Sequence, residues 1–76
     1  MEIKEFIQHF AEQFDDTDVV SFTPDTVYKN LEEWSSLIAL AIIAMVDEEY
    51  GVIVKGEDIR ESETIKDLFE VVKARK

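Results

Sequence analysis

Ser36 stands in the run Leu31-Glu32-Glu33-Trp34-Ser35-Ser36-Leu37, where a loop gives way to a helix. Ten apolar residues follow it, Leu37 to Val46, and then an acidic turn of Asp47, Glu48 and Glu49. A hydroxyl at the mouth of a helix is well placed to carry a covalently attached group. The other residue types in this chain do not equip it for catalysis. There is no cysteine to act as a nucleophile or thiolate ligand, and a single histidine, His9, cannot form a histidine metal site alone. By helical spacing His9 lies off the apolar face of its segment, which predicts a solvated residue and no nucleophilic dyad.

Other polar clusters are weaker candidates. Asp15, Asp16 and Asp18 invite a calcium-loop reading, but counting from Asp16 the sixth position is Ser21, not glycine, and the twelfth is Val27, not glutamate. These aspartates are expected to finish the first helix and solvate the loop. The carboxylates from Asp47 to Glu61 are plentiful, but none is distinguished by a cleft or a close like charge that would shift its pKa toward catalytic use. They read as a solvated acidic face, which is also what a partner-binding face would look like. Trp34 reads as a packing residue covering the helix entrance.

The elements that must position Ser36 are helical. Ile3, Phe6, Ile7, Phe10 and Phe14 share one face of a first helix. A second helix starts at Ser35 or Ser36 and runs to about Tyr50, where Gly51 stops it. Residues 57–61 form one short helical turn. A last helix starts at Thr64, with Thr64 and Asp67 at capping-box spacing, an apolar stripe of Ile65, Leu68, Phe69 and Val72, and Lys73, Arg75 and Lys76 at its C-terminus. The connection from Asp15 to Trp34 is too long to be idle in so small a domain. Its Val19, Val20, Phe22, Val27, Tyr28 and Leu31 are expected to tuck onto the bundle. Val52-Ile53-Val54 has no partner strand and is expected to press into the core as an extended segment. The run Leu37 to Val46 is apolar all round, more than a chain of this size can bury, so part of it should face a partner. Met45 at such a surface would suit adaptable contacts. The expected architecture is all-α: one domain over residues 1–76, a small four-helix bundle of three main helices and a short third helix.

Charge narrows the partners. Eighteen acids against eight bases give a net charge of −10. That argues against nucleic acid and anionic membrane surfaces, whose binding depends on Lys and Arg, and favours basic protein partners steered by charge. The longest apolar run is half of the ~20 residues a membrane span needs. Met1-Glu2-Ile3-Lys4-Glu5 lacks the basic start and apolar stretch of a secretory signal, so a cytoplasmic monomer is the expectation.

Taken in order, these pieces resemble acyl and peptidyl carrier proteins. The residues carrying the resemblance are Trp34-Ser35-Ser36-Leu37, then Asp47-Glu48-Glu49-Tyr50-Gly51, Val52-Ile53-Val54, Glu57-Asp58-Ile59 and Thr64-Ile65-Lys66-Asp67-Leu68. Phe22-Thr23-Pro24-Asp25-Thr26 and Tyr28-Lys29-Asn30-Leu31 look like the carrier loop. The resemblance spans nearly the whole chain and implies a non-catalytic carrier of a type II fatty-acid, polyketide or related system. It implies 4′-phosphopantetheine on Ser36, installed by a phosphopantetheinyl transferase, with cargo held as a thioester and presented to acyl-activating or synthase enzymes with basic docking surfaces. The expected partner face comprises Leu37, Ile38, Ala41 and Met45 with the acids Asp47, Glu48, Glu57 and Asp58. Ser35 departs from the family's Asp-Ser-Leu motif. It preserves a helix cap but lacks the carboxylate that transferases of the family commonly engage. Ile38 and Ala41 stand where fatty-acid carriers often have acids, which points to a dedicated pathway. The rival reading is an unmodified, carrier-like acidic adaptor that works by protein contact alone.

Overall fold

The computed structural model describes residues 2–76 as four α-helices without a strand: α1 (Ile3–Ala11), α2 (Ser36–Tyr50), α3 (Gly56–Glu61) and α4 (Ile65–Arg75). Two 3₁₀ turns, Val19–Ser21 and Tyr28–Asn30, punctuate the long connection. α1 packs on α4 and α2, and α3 bridges α2 and α4. The chain is therefore a small all-α bundle. Its centre is Phe6, Phe10, Tyr28, Ile42, Ile65 and Leu68, each fully buried.

Local signals hold where the physics is local. Gly51 ends α2 at φ +66, a left-handed conformation costly for residues with a Cβ, and its N–H donates to the Asp47 carbonyl at 2.9 Å. Thr64 Oγ1 accepts from the Asp67 N–H at 3.1 Å. Asp67 Oδ2 accepts in return from the Thr64 N–H at 3.1 Å, completing the capping box. Val52 and Val54 are buried while Ile53 between them is exposed, the alternation of an extended segment pressed against a core.

The first helix is shorter than its apolar spacing predicts. It stops at Ala11, although Phe14 is still buried, stacked on Phe10 at 5.7 Å. Its end tightens to i→i−3 bonds, from the Gln13 N–H to the Phe10 carbonyl and from the Phe14 N–H to the Ala11 carbonyl, while the Gln13 side chain donates to the His9 carbonyl. The Glu33 carboxylate accepts the N–H groups of Asp15, Asp16 and Thr17 at 2.7 to 3.0 Å and the Thr17 hydroxyl at 2.8 Å. The amides beyond Phe14 are thus satisfied outside the helix. The Thr17 hydroxyl, then these amides, hold the Glu33 carboxyl below its ordinary pKa. Val19, Val20 and Val27 also depart from expectation: all three are exposed, while Phe22 and Tyr28 fill the core positions beside their 3₁₀ turns.

The long connection is fastened at three further points. The Ile65 and Lys66 N–H groups, orphan donors of the first turn of α4, donate to the carbonyls of Thr26 (3.1 Å) and Pro24 (2.9 Å). The Tyr28 hydroxyl lies 2.6 Å from the Ile59 carbonyl and 2.9 Å from that of Ser62, aiming its proton at the C-terminal end of α3. Burial pushes its pKa up to about 12. Trp34 packs against Tyr28 at 5.0 Å and Phe14 at 6.4 Å, the packing role expected of it.

Asp58 and Arg75 tie α3 to the end of α4. The guanidinium meets both carboxylate oxygens at 2.7 and 2.8 Å, and the same carboxylate accepts the Lys55 N–H at 2.8 Å. The Arg75 hydrogen bond first, then the Lys55 amide, lower the Asp58 pKa to about 2. A depressed carboxylate pKa contributes stability above the unfolded value, near 4, and loses it as pH falls through the folded value. Arg75→Gln should therefore lower the urea midpoint at neutral pH. The gap from wild type should persist down to about pH 5 and close toward pH 2. A gap independent of pH across that window would assign the effect to packing of the arginine stem.

Candidate functional site

The two serines divide the work at the start of α2. Ser35 is the cap: its backbone is extended, its hydroxyl accepts the Ile38 N–H at 3.3 Å and its carbonyl accepts the Ala39 N–H at 3.0 Å. Ser36 is the first helical residue. Its side chain is exposed, and among the described residues its hydroxyl makes no hydrogen bond. The free hydroxyl stands at the positive end of a 15-residue helix, where backbone N–H groups favour an adjacent phosphate.

The chain's one imidazole is remote from that hydroxyl. His9 packs edge-on to Tyr50 with ring centroids 6.0 Å apart, at the other end of α2, about 21 Å along the axis at the helical rise per residue. It is also less solvated than its helical position predicts. Its side chain is 23% exposed and lies 3.5 to 3.8 Å from carboxylate oxygens of Glu5, Glu12 and Glu49. The cause is the packing of α1 against the end of α2, which helical spacing within α1 does not reveal.

A groove of about 550 Å³ opens beside Ser35 and Ser36. Trp34, Ala39, Leu40, Ile43 and Ile59 give it apolar walls from the loop, α2 and α3. Lys29 and Arg60 supply its charge, and no carboxylate lines it. The Lys29 ammonium donates to the Arg60 carbonyl at 2.6 Å, joining the 3₁₀ turn to α3 along one wall.

The predicted partner face is brought together in part. Leu37 is 78% exposed, Ile38 and Ala41 are half-buried, and Asp47, Glu48 and Glu57 are exposed. Met45 is not available: at 5% exposure it belongs to the core with Ile42 and Val46, and it cannot make the surface contact expected of it. Asp58 is committed to Arg75 and the Lys55 amide, so its charge is largely neutralised within the fold. Leu40, 61% exposed, and Ala44, also exposed, complete an outward stripe with Leu37 and Ala41. Their spacing from Leu37, three and seven residues, is the signal that would have found them. Asp47 and Glu48 lie about 17 Å along α2 from Ser36, so the acids and the hydroxyl mark opposite ends of one apolar stripe. No helix among the described residues is long and apolar enough to cross a membrane. The chain matches no family model, no curated protein and no solved structure.

Proposed function

We propose that this protein is a carrier that holds acyl or aminoacyl intermediates as thioesters on 4′-phosphopantetheine attached to Ser36. The observation that supports this reading most is the Ser36 hydroxyl, exposed and unbonded on the first residue of a capped helix, opening onto a largely apolar groove. The residues present fit the group: the helix start offers free amides to a phosphodiester, and no carboxylate lines the adjoining groove to repel it. When bound, the group supplies the thiol that the polypeptide lacks. The chain's own residues position and present. Ser35 keeps the helix start rigid, Leu37 and Leu40 offer an apolar contact beside the attachment point, and Asp47 and Glu48 offer charge at the far end of the helix. Intact mass after incubation with coenzyme A and a broad-specificity phosphopantetheinyl transferase tests the reading: one phosphopantetheine per chain is expected.

Partners with basic docking surfaces should associate more slowly as salt rises, because Asp47, Glu48 and Glu57 are exposed and make no ion pair among the described residues. Asp47→Asn with Glu48→Gln should lower the association rate more than it raises the dissociation rate. Asp58→Asn should act mainly on stability. A surface-resonance series over ionic strength checks both. Association indifferent to salt would leave the Leu37–Leu40 stripe as the sole determinant. The same stripe favours one rival, an unmodified adaptor that binds by contact alone; a chain that no transferase modifies but that still binds through Leu37 would be that adaptor.

A further inference from the structure

The charge on the groove is opposite to that of the molecule. In a chain of net charge −10, the groove beside Ser36 is lined by two cations and no acid. Among the described residues Asp58–Arg75 is the only ion pair made by a lysine or arginine, so neither Lys29 nor Arg60 is neutralised by a carboxylate within contact distance. Lys29 spends one of its three donors on the Arg60 carbonyl and keeps two. The Arg60 guanidinium folds back along the first turn of α3, where a Cβ added at Gly56 would stand 3.5 Å from its Nη1. Trp34, Ile43 and Ile59 give the same groove an apolar lining.

We propose that this groove holds cargo that is apolar along its length and carries a carboxylate away from its point of attachment, with Lys29 and Arg60 as the counter-charge. The inference rests on attachment at Ser36 and names the class of cargo carried there: carboxylate-bearing acyl groups in preference to neutral chains of equal length. The charge pattern is what carries it. A purely apolar cargo would leave two cations facing hydrocarbon, whereas a carboxylate gains two charge-assisted partners while its chain covers Trp34 and Ile59. The arm's own phosphate is the other anion within the same chemistry, and the test separates the two.

The absence of cysteine permits a test that needs no transferase. Ser36→Cys introduces one thiol, on which mixed disulfides can be equilibrated with mercaptohexanoic acid or with mercaptohexanol. The exchange constant should favour the carboxylate thiol by about fivefold at low salt, the scale of up to ~1 kcal/mol for an exposed charge contact. The preference should fall to about one when Lys29→Gln and Arg60→Gln are added, since these retain the helix start but remove the counter-charge. It should also shrink with salt in the Ser36→Cys chain alone, a readout that does not depend on the double variant folding. No preference, or one that the glutamines leave intact, overturns the proposal; the latter would assign it to the helix start. Absence of preference in the disulfides, with amide signals of Lys29 and Arg60 shifting when the wild type is converted to its phosphopantetheine form, would assign the cations to the arm's phosphate and also overturn it. Failure of every transferase on the wild type, with the disulfide preference intact, would remove the carrier reading and leave the groove's selectivity standing.

Discussion

Ser36→Ala is expected to abolish all mass gain on incubation with coenzyme A and a transferase, while Ser35→Ala keeps it. The geometry separates the two residues: Ser35 spends its hydroxyl on the Ile38 amide, whereas Ser36 presents a free one. Ser35→Ala removes a cap and should lower stability by about 1 kcal/mol, without removing the acceptor of the group. Mass gain retained in Ser36→Ala and lost in Ser35→Ala would move the site by one residue. Ser35→Asp sharpens the result. Both residues cap well, so stability should change little, but an aspartate beside the attachment point gives a transferase a charge to dock. Its rate should rise about fivefold if the enzyme uses that contact. Equal rates for the two chains would show that a transferase reads this helix start without a carboxylate.

Phe10→Ala is expected to leave the chain largely unfolded. Phe10 is fully buried, and its ring meets those of Phe6, Phe14, Phe22 and Tyr28 at 5.5 to 6.3 Å. It joins α1 to both halves of the long connection. Truncating a buried phenylalanine costs about 3–5 kcal/mol, against a total of about 5–15 kcal/mol in which a chain of this size stands near the lower end. Urea unfolding and near-ultraviolet circular dichroism would show the loss, with Phe10→Leu retaining a cooperative transition. The effect reaches the groove, because the connection that Phe10 anchors carries Lys29 and Trp34 to its wall. A loss below about 1 kcal/mol would mean that the connection holds itself in place without this ring.

The residues that could be read from sequence alone are those whose partners are near in the chain. The Thr64–Asp67 box, the Gly51 stop and the apolar stripe of α4 each depend on contacts within one helical turn, and each stands where spacing put it. The end of α1 was not legible, because neither the switch to i→i−3 bonds at Gln13 and Phe14 nor the capture of the next three amides by Glu33 leaves a mark in the apolar spacing. Nor was the fate of Asp58, whose carboxylate is claimed by Arg75, 17 positions on. Met45 was ambiguous for another reason: a helix apolar on every side carries no periodicity to say which residues face inward. At the candidate site, Ser36 was visible as a helix-opening hydroxyl. Lys29 and Arg60, 31 positions apart, carry no mutual signal until the 3₁₀ turn and α3 are packed side by side.

Six residues are too few for a helix to persist in water unaided. α3 is held by borrowed attachments: the Tyr28 hydroxyl at its last carbonyls, the Asp58–Arg75 clasp at its start and Ile59 in the core. Ile59 is its one buried residue, so α3 should behave as the bundle's weakest cooperative unit and open while α1, α2 and α4 stay closed, at the cost of unpairing the buried Tyr28 hydroxyl. One wall of the groove is then expected to open independently of the other. Amide protons of residues 57–62 should exchange with deuterium ahead of those in α2, and a molecule lodged between the two walls would slow them first.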